Sequence, residues 1–403
     1  MMRKKLAPLA AAVAVTVGVS GCAGSVSNET GDEGPIEFSY ADLTGETNPL
    51  GIAAQAMFEA IDEAYEGEIE VEYFWSGAMA GGEEVLDAVG SGTVDVASVP
   101  TAYYPQDLPA ASWAEGLTNL NPTGPTVHPY VSNVGMIQAF RSDSIMEEYS
   151  KHGIEPLATA TAESYALICK DKISSLDDAK GKLVRVASTQ HVKEIEALGM
   201  SPISLAHGET YEALQRGTID CTVSSPTGGD DLGLYEMAGS ILPIGFSPAV
   251  LPVLITETKM DSLPEDLQEI IRTTGVEAYY SAIAGSYSEE TADLVEDGNV
   301  SPDSSVEILL PDDLVDAVAE QRAKAAETLA ADAPEAMQDA EAVVEDFTQV
   351  SEEMLVEYEE ASGVEAKEVP ADGEAYRDAF RTFMENQSAL DDFIDSVSQT
   401  LSS

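Results

Sequence analysis

The segment "KGKLVRVASTQHVKEIEALGMSPISLA" (180–206) joins an apolar run, a helical pattern and a second apolar run. Residues 183–186 predict a buried strand, and the residues that follow predict a helix that ends at Gly199 before another short strand. Arg185 stands inside the first run, although its guanidinium keeps its charge in proteins. Because burying an unpaired charge costs several kcal/mol, Arg185 must meet an anion. That anion is either a carboxylate of the chain itself or one that belongs to a ligand.

The same alternation of strand and helix extends over most of the 403 residues. Residues 36–43 and 68–75 predict strands on either side of a helix that starts at Asn48-Pro49. Beyond about residue 308, the apolar residues follow helical spacing instead. These patterns predict an α/β protein with mostly parallel sheets and a helical C-terminal segment. The length is sufficient for two domains.

Two segments of the chain share one pattern: "EVLDAVGSGTVDVASVP" (84–100) and "TYEALQRGTIDCTVSSP" (210–226). Each predicts a helix, a Gly-Thr turn, an apolar residue, an aspartate, a strand and a proline. Gly92 corresponds to Gly217, and each glycine is suited to the left-handed conformation at the end of a helix. Two ordinary helix-to-strand turns that converged by chance are the alternative. A genuine repeat implies two similar α/β halves.

The loops that follow the two repeated strands, residues 100–109 and 224–231, are predicted to line a ligand cleft between the halves. Arg185 can hold a carboxylate there with two parallel hydrogen bonds. Other side chains at predicted strand ends can cover a ligand or donate hydrogen bonds to it, and they are Trp75, Tyr103, Tyr104, Phe246, Ser224 and Ser225. For each aromatic residue, packing in a core is the alternative.

The composition excludes several classes of function. The chain has 73 acidic and 19 basic residues, a formal charge of −54, which argues against binding to nucleic acid or to an anionic membrane surface. The sequence lacks the motifs of nucleotide-binding loops, serine hydrolases and zinc proteases, and its four histidines are scattered. We therefore expect no metal, no cofactor and no catalysis. A secreted hydrolase that uses paired carboxylates is the less favoured alternative, because so many acids form pairs by chance.

The N-terminus predicts a signal peptide over residues 1–21, with basic residues, an apolar stretch and "VSGC" (19–22) in that order. These features resemble a bacterial lipobox, so we expect a lipid anchor at Cys22 and a flexible tether over 22–35. The protein is then extracytoplasmic, on the outer face of the cell membrane or in the periplasm. An unmodified signal peptide with an incidental cysteine is the alternative.

Two further cysteines, Cys169 and Cys221, remain once Cys22 is set aside. Outside the cytoplasm an even pair favours a disulfide, and two separate buried thiols are the alternative.

The residues around Arg185 carry a family resemblance. "KISSLDDAKGKLVRVAST" (172–189) and "ALGMSPISLAHGETYEALQRGTIDCTVSSP" (197–226) resemble the central motifs of TRAP-transporter solute-binding proteins, the DctP-like family. The matching positions are Asp177, Lys180, Gly181, Arg185, Val186, Leu198, Gly199, Glu209, Tyr211, Ala213, Leu214, Gly217 and Asp220. The resemblance implies a periplasmic-binding-protein-like fold that closes on a small organic acid. It also implies that Arg185 holds the ligand carboxylate and that a membrane permease receives the ligand.

From this resemblance we expect one domain over 36–156 and 248–290, and a second over 157–247 and 291–403. The second domain includes the helical C-terminal extension. A substrate-binding lipoprotein of an ABC importer or of a sensory system is the alternative function.

The resemblance also assigns single residues. Tyr165 stands where the family often has a second arginine, and Glu209 is expected to orient the Arg185 guanidinium from behind the ligand site. Cys169 and Cys221 lie on strands that flank the motif, so we predict that they pair.

Overall fold

The computed structural model of the protein describes residues 34–122, 128–283, 285–286, 306–362, 374–375 and 378. The predicted signal peptide, the predicted lipidation site Cys22 and most of the predicted tether lie outside these residues, as do residues 379–403 of the predicted helical C-terminal segment.

The strands of the described residues form two sheets. The strands are β1 (Ile36–Ala41), β2 (Ile69–Phe74), β3 (Val96–Ser98), β4 (Ile154–Thr161), β5 (Tyr165–Cys169), β6 (Leu183–Val186), β7 (Ser201–Ser204), β8 (Cys221–Ser224), β9 (Ser240–Phe246), β10 (Val250–Thr256) and β11 (Glu307–Ile308). The first sheet has the order β2-β1-β3-β10-β4, and the second has the order β11-β9-β5-β8-β6-β7. The predicted two-part α/β architecture is therefore confirmed.

The helices pack on these two sheets. They are α1 (Pro49–Ala64), α2 (Val85–Gly90), α3 (Pro109–Ala114), α4 (His128–Phe140), α5 (Asp143–Lys151), α6 (Leu176–Ala179), α7 (Thr189–Ala197), α8 (Thr210–Arg216), α9 (Pro226–Asp231), α10 (Glu257–Ser262), α11 (Glu265–Ile270), α12 (Asp312–Thr328) and α13 (Ala340–Ser362). A π-helical turn, Ile271–Gly275, follows α11. As predicted, α1 begins at Asn48-Pro49, where the Asn48 side chain accepts a hydrogen bond from the backbone of Leu50.

Residues 162–164 and 247–249 connect a strand of one sheet directly to a strand of the other. As a result, β4 and β5 run antiparallel to their neighbours β10 and β9, so the sheets are mixed rather than mostly parallel as predicted. The predicted boundary between residues 156 and 157 falls inside β4, which continues in the first sheet to Thr161. We call the part of the protein built on each sheet the first half and the second half.

The C-terminal helices divide between the two halves. Leu314 and Val318 of α12 are buried in the core of the second half. In contrast, Val343 and Phe347 of α13 are buried in a core of the first half, where Phe347 packs beside Gly135 of α4. The assignment of all residues after 290 to the second domain is therefore wrong for α13, because its apolar face is covered by the first half.

The two repeated segments have the same backbone conformation. Gly92 and Gly217 both have positive φ, 71° and 70°. The N–H groups of Thr93 and Thr218 each donate to the carbonyl oxygen five residues earlier, at 2.9 Å. Glycine adopts this left-handed conformation without steric strain, which explains its place at the end of both helices.

The aspartates of the two repeated segments also have matching partners. Asp95 accepts a hydrogen bond from the backbone N–H of Ser39 on β1 at 2.9 Å, and Asp220 accepts one from that of Leu183 on β6 at 2.8 Å. Each aspartate thus holds the neighbouring parallel strand in register. The shared sequence pattern corresponds to a shared structural unit in the two halves.

The predicted disulfide is confirmed. Cys169 and Cys221 lie opposite each other on the antiparallel strands β5 and β8 and are bonded, with their Cα atoms 4.1 Å apart. The flanking pair, Lys170 and Asp220, carries the hydrogen bond of the ladder. Opposed residues between such hydrogen-bonded pairs lie closest together in an antiparallel sheet, so the site suits a short cross-link.

Candidate functional site

A cavity opens between the two halves, beside the segments that connect them. Its walls include Ala102 and Tyr103 from the first half, Arg185 and Ser225 from the second, and Ala249 from a connecting segment. The cavity has a volume of about 70 Å³. The two loops predicted to line a cleft, residues 100–109 and 224–231, therefore do meet at one site.

Arg185 is the penultimate residue of β6 and lines this cavity, and only 2% of it is exposed. Its guanidinium donates to the carbonyl oxygen of Leu205 at 3.0 Å and to that of Val223 at 3.3 Å. Its third hydrogen bond, also 3.0 Å, goes to the Tyr103 hydroxyl in the first half. One strand, β8, and two loop segments thus hold the guanidinium in a fixed orientation.

None of the carboxylates in the described part of the chain forms an ion pair with Arg185, since its three acceptors are all uncharged. Glu209, which was expected to orient the guanidinium, is exposed and lines an adjoining pocket. That expectation is wrong, because the carbonyl groups of Leu205 and Val223 do the orienting instead. Among the described residues, the negative charge that Arg185 needs is therefore missing.

Four other predicted site residues line the cavity, namely Tyr103, Tyr165, Ser224 and Ser225. Tyr103 faces it from the turn that follows β3. Tyr165 begins β5, and its ring stacks on His191 with 5.2 Å between ring centres. Ser225 precedes α9 and accepts a hydrogen bond from the Gly228 backbone, so its side chain is held at the rim.

The other three predicted ligand contacts, Trp75, Tyr104 and Phe246, are not among the described residues that line the cavity. Trp75 follows β2, the edge strand of the first sheet, and stacks on Tyr73 with 5.0 Å between ring centres. Phe246 is fully buried in the core of the second half. The Tyr104 hydroxyl donates to the Gly82 carbonyl at 2.6 Å. For these three aromatics, core packing is the correct interpretation.

The sequence interpretation missed three ionisable residues of the cavity wall: Glu115, His191 and His207. Glu115 is 3% exposed and accepts a hydrogen bond from the Thr101 hydroxyl at 2.5 Å. Burial raises the pKa of Glu115 to about 8, so its carboxyl is mostly neutral at pH 7. Burial also lowers the pKa of His207 to about 4, which leaves that imidazole uncharged.

His191 is fully buried and lies in the first turn of α7, shortly after Arg185 in the sequence. Its Nε2 lies 2.7 Å from the Ser247 carbonyl oxygen, and its Nδ1 is buried without a hydrogen-bond partner among the described residues. Burial lowers the pKa of His191, so the ring is neutral. Its position in the sequence was a usable signal. His191 follows closely after the end of β6, the strand that contains Arg185, and both residues line the cavity.

Within the part of the chain that the structure describes, the helices lack the combination of length and apolarity that a membrane span requires.

Comparison with known proteins gives a family. Residues 40–297, more than half of the chain, match the model of "Bacterial extracellular solute-binding protein, family 7", also called DctP. The monocarboxylate 2-oxoacid-binding periplasmic protein of Nostoc sp. is 28% identical over 231 residues, which is 56% of this chain and 62% of that relative. The C4-dicarboxylate-binding periplasmic protein of Rhodobacter capsulatus is 22% identical over 281 residues, 66% of this chain and 79% of that relative. Of the first three curated relatives, the chain spans 62%, 36% and 54% of the length.

Solved structures share the fold. A marine metagenome TRAP solute-binding protein specific for pyroglutamate has a TM-score of 0.65 at 18% identity, covering 78% of this chain and 99% of its own. A TRAP periplasmic solute-binding protein from Shewanella oneidensis, with bound succinate, has a TM-score of 0.62 at 17% identity, covering 79% of this chain and all of its own.

Proposed function

Because the chain belongs to family 7 of the bacterial extracellular solute-binding proteins and shares its fold with TRAP solute-binding proteins, we propose that it captures a small organic acid in the cavity between its halves. The Arg185 guanidinium holds the ligand carboxylate, and a TRAP-type membrane permease receives the ligand. The protein acts outside the cytoplasm, anchored to the membrane through a lipid on Cys22. Its task is binding and delivery rather than catalysis.

The single observation that carries this proposal is the Arg185 side chain, which is buried and oriented yet has no carboxylate partner in the described chain. Its three hydrogen bonds use one N–H on each guanidinium nitrogen, which leaves the second N–H of each terminal nitrogen for a ligand. A ligand carboxylate supplies the missing negative charge and can accept both of these N–H groups.

The charge of the cavity wall favours a monocarboxylate. At pH 7 Arg185 is positive, while burial keeps His207 uncharged and Glu115 mostly protonated. The described wall therefore carries a net charge close to +1, which a single carboxylate neutralises. A second carboxylate would enter the cavity without a partner of opposite charge, at a desolvation cost of several kcal/mol.

The size of the cavity agrees with a small ligand. One water needs roughly 10–15 Å³ of cavity volume, so about 70 Å³ accommodates roughly five waters. The names of two relatives support the same ligand class, since one binds monocarboxylate 2-oxoacids and another is specific for pyroglutamate.

Contacts across the cavity support capture by closure of the halves. Arg185 of the second half donates to Tyr103 of the first. Asp231 of α9 in the second half also accepts hydrogen bonds from the first half, from the Asn48 side chain at 3.0 Å and the Gly45 backbone at 3.4 Å. Closure around the ligand excludes water and strengthens the pairing of its carboxylate with Arg185.

The test is isothermal titration calorimetry with lactate, pyruvate, 2-hydroxybutyrate, pyroglutamate and succinate. We expect the monoacids to bind the parent protein more tightly than succinate does. Arg185→Ala should weaken binding at least thirtyfold, because removing one partner of a buried charge pair costs about 2–5 kcal/mol. The affinity of Arg185→Lys should lie between those of the parent and Arg185→Ala, since lysine keeps the charge but lacks the planar guanidinium with its two parallel donors.

The matched control is Arg216→Ala, which removes an arginine of the second half that forms an exposed ion pair with Glu212. It should bind like the parent. The proposal fails if Arg185→Ala remains folded by circular dichroism and binds these acids with the affinity of the parent.

A further inference from the structure

His191 is a polar residue of the cavity wall that the carboxylate contact leaves unused. It is fully buried near the start of α7 and lines the same cavity as Arg185. Its ring is held in place by stacking on Tyr165. Its Nδ1 atom has no hydrogen-bond partner among the described residues, although it is buried.

The surroundings of His191 decide which ring nitrogen carries the proton. The Ser247 carbonyl oxygen, 2.7 Å from Nε2, can only accept a hydrogen bond, so Nε2 carries the hydrogen. Ser247 is itself fixed, because its N–H and its hydroxyl donate to the same oxygen of Glu194 at 3.1 and 2.7 Å. In the neutral ring Nδ1 is then a lone-pair acceptor.

A buried acceptor without a donor is rare in folded proteins and destabilises the site until a donor arrives. The hydroxyl groups of Tyr165 and Ser224 line the cavity and can donate to a ligand. Oxygen acceptors on a ligand therefore have several donors to choose from. His191 Nδ1 makes the opposite demand, because a ligand can satisfy it only through an O–H or N–H group of its own.

We propose that the ligand carries a hydrogen-bond donor in addition to its carboxylate, and that His191 Nδ1 accepts it. This inference rests on the proposed function, since it assumes that Arg185 holds the carboxylate. The site then selects a hydroxy acid over the oxo acid with the same carbon skeleton. A hydroxyl group can donate to His191 and still accept from a wall hydroxyl, whereas a ketone can only accept.

An amino acid is a poorer match for the same site. Its ammonium group would be a donor to His191, but it would lie in a wall whose permanent charge is the positive Arg185 and whose buried acid, Glu115, is protonated near neutral pH. A buried ammonium without an anionic partner is strongly disfavoured. A neutral donor, such as a hydroxyl or a ring amide N–H, avoids that cost.

The test compares pairs of acids that differ at one group: lactate with pyruvate, and 2-hydroxybutyrate with 2-oxobutyrate. Calorimetry on the parent protein should show the hydroxy acid binding about tenfold to a hundredfold more tightly in each pair. In ¹⁵N spectra of histidine-labelled protein, the His191 Nδ1 signal should move upfield when lactate is added. Pyruvate should leave that signal largely in place.

Two variants separate this role from a structural one. His191→Phe keeps a ring to stack on Tyr165 but has no acceptor, so hydroxy and oxo acids should bind with similar affinity. His191→Asn retains an acceptor oxygen near the position of Nδ1 and should keep part of the preference. Thermal unfolding followed by circular dichroism checks that both variants fold.

The inference is overturned if the parent binds the oxo acid as tightly as the hydroxy acid, or if folded His191→Phe retains the full preference. In either case the proposed function survives as long as Arg185→Ala loses affinity for both acids. If none of the four acids binds, or if Arg185→Ala binds them like the parent, the proposed function fails and this inference fails with it.

Discussion

Glu115 provides the sharpest test of the buried electrostatics of the cavity. Its carboxyl group is 3% exposed, accepts a hydrogen bond from the Thr101 hydroxyl and lines the cavity. Burial raises its pKa from the ordinary 4.5 to about 8. Glu115→Gln keeps the size of the side chain and the acceptor for Thr101, but it cannot ionise.

The sign of the effect follows from linkage. The folded protein holds the Glu115 proton at pH values where the unfolded chain has released it, so stability from this group falls as pH rises. The contribution is fully present below about pH 4.5 and is lost as pH rises through about 8. One pKa unit corresponds to about 1.4 kcal/mol. The rise in the pKa of Glu115 from 4.5 to about 8 therefore corresponds to about 5 kcal/mol of unfolding free energy, as an order of magnitude. Glu115→Gln does not incur this loss.

The assay is urea unfolding of the ligand-free protein at pH 5, 6, 7, 8 and 9, followed by circular dichroism. The free energy of unfolding of Glu115→Gln, relative to the parent, should rise by about 1 kcal/mol per pH unit between pH 5 and 8 and then level off. Glu209→Gln removes an exposed carboxylate instead and is the matched control. Parallel pH profiles for the parent and Glu115→Gln would refute the reasoning, because they would mean that Glu115 ionises equally in both states.

Two further predictions concern cross-links within the fold. Replacing Cys169 and Cys221 together by alanine opens a loop with a sequence separation of 52 residues, so the free energy of unfolding should fall by about 4 kcal/mol on the loop-entropy relation. Urea unfolding measures this, and a loss below about 1 kcal/mol would contradict it. Asp231→Ala removes the contact of α9 with Asn48 and Gly45, so the closed form should lose about 1 kcal/mol and Kd should rise about fivefold. Stopped-flow measurements should show the change in the dissociation rate, and an unchanged rate would mean that this contact does not hold the halves together.

The sequence predicted the features that depend on local chemistry. The turns at Gly92 and Gly217 could be identified because their conformation requires a residue without a side chain. Arg185 could be identified as a residue of the cavity because a permanent charge within an apolar strand has few acceptable environments. The two loops that face each other followed from the repeat, since equivalent strands of similar halves end in equivalent places.

The features that the sequence did not predict depend on contacts between distant segments. Trp75 and Tyr104 look like cavity residues in the sequence, but the first lies after an edge strand and the second bonds to Gly82 in the core. Glu115 is one of 73 acidic residues, and it differs from the others in the sequence by no pattern. Only the folded structure shows that it lines the cavity. For the same reason α13 could not be assigned to the first half, because its apolar spacing does not specify which surface covers it.

A second buried arginine shows what the chain does when it neutralises such a charge by itself. Arg322 of α12 is 5% exposed, lies 3.8 Å from a Glu194 oxygen, and donates to the Ser247 hydroxyl and to the Thr118 and Asn121 carbonyls. Arg185 is buried to the same degree and has comparable carbonyl partners, but within the described residues it has no counterpart of Glu194.

The contrast between the two arginines is informative because both lie where the halves meet and both are shielded from solvent. They differ in that Arg322 has a carboxylate of the chain nearby. An arginine that serves only to join the halves would be expected to resemble Arg322, with its own carboxylate. Under the proposed function, leaving Arg185 without one lowers the stability of the empty closed form and reserves the pairing energy for a ligand. Supplying the anion from within, by Ala187→Asp on the cavity wall beside Arg185, should therefore raise the thermal stability of the ligand-free protein and abolish acid binding.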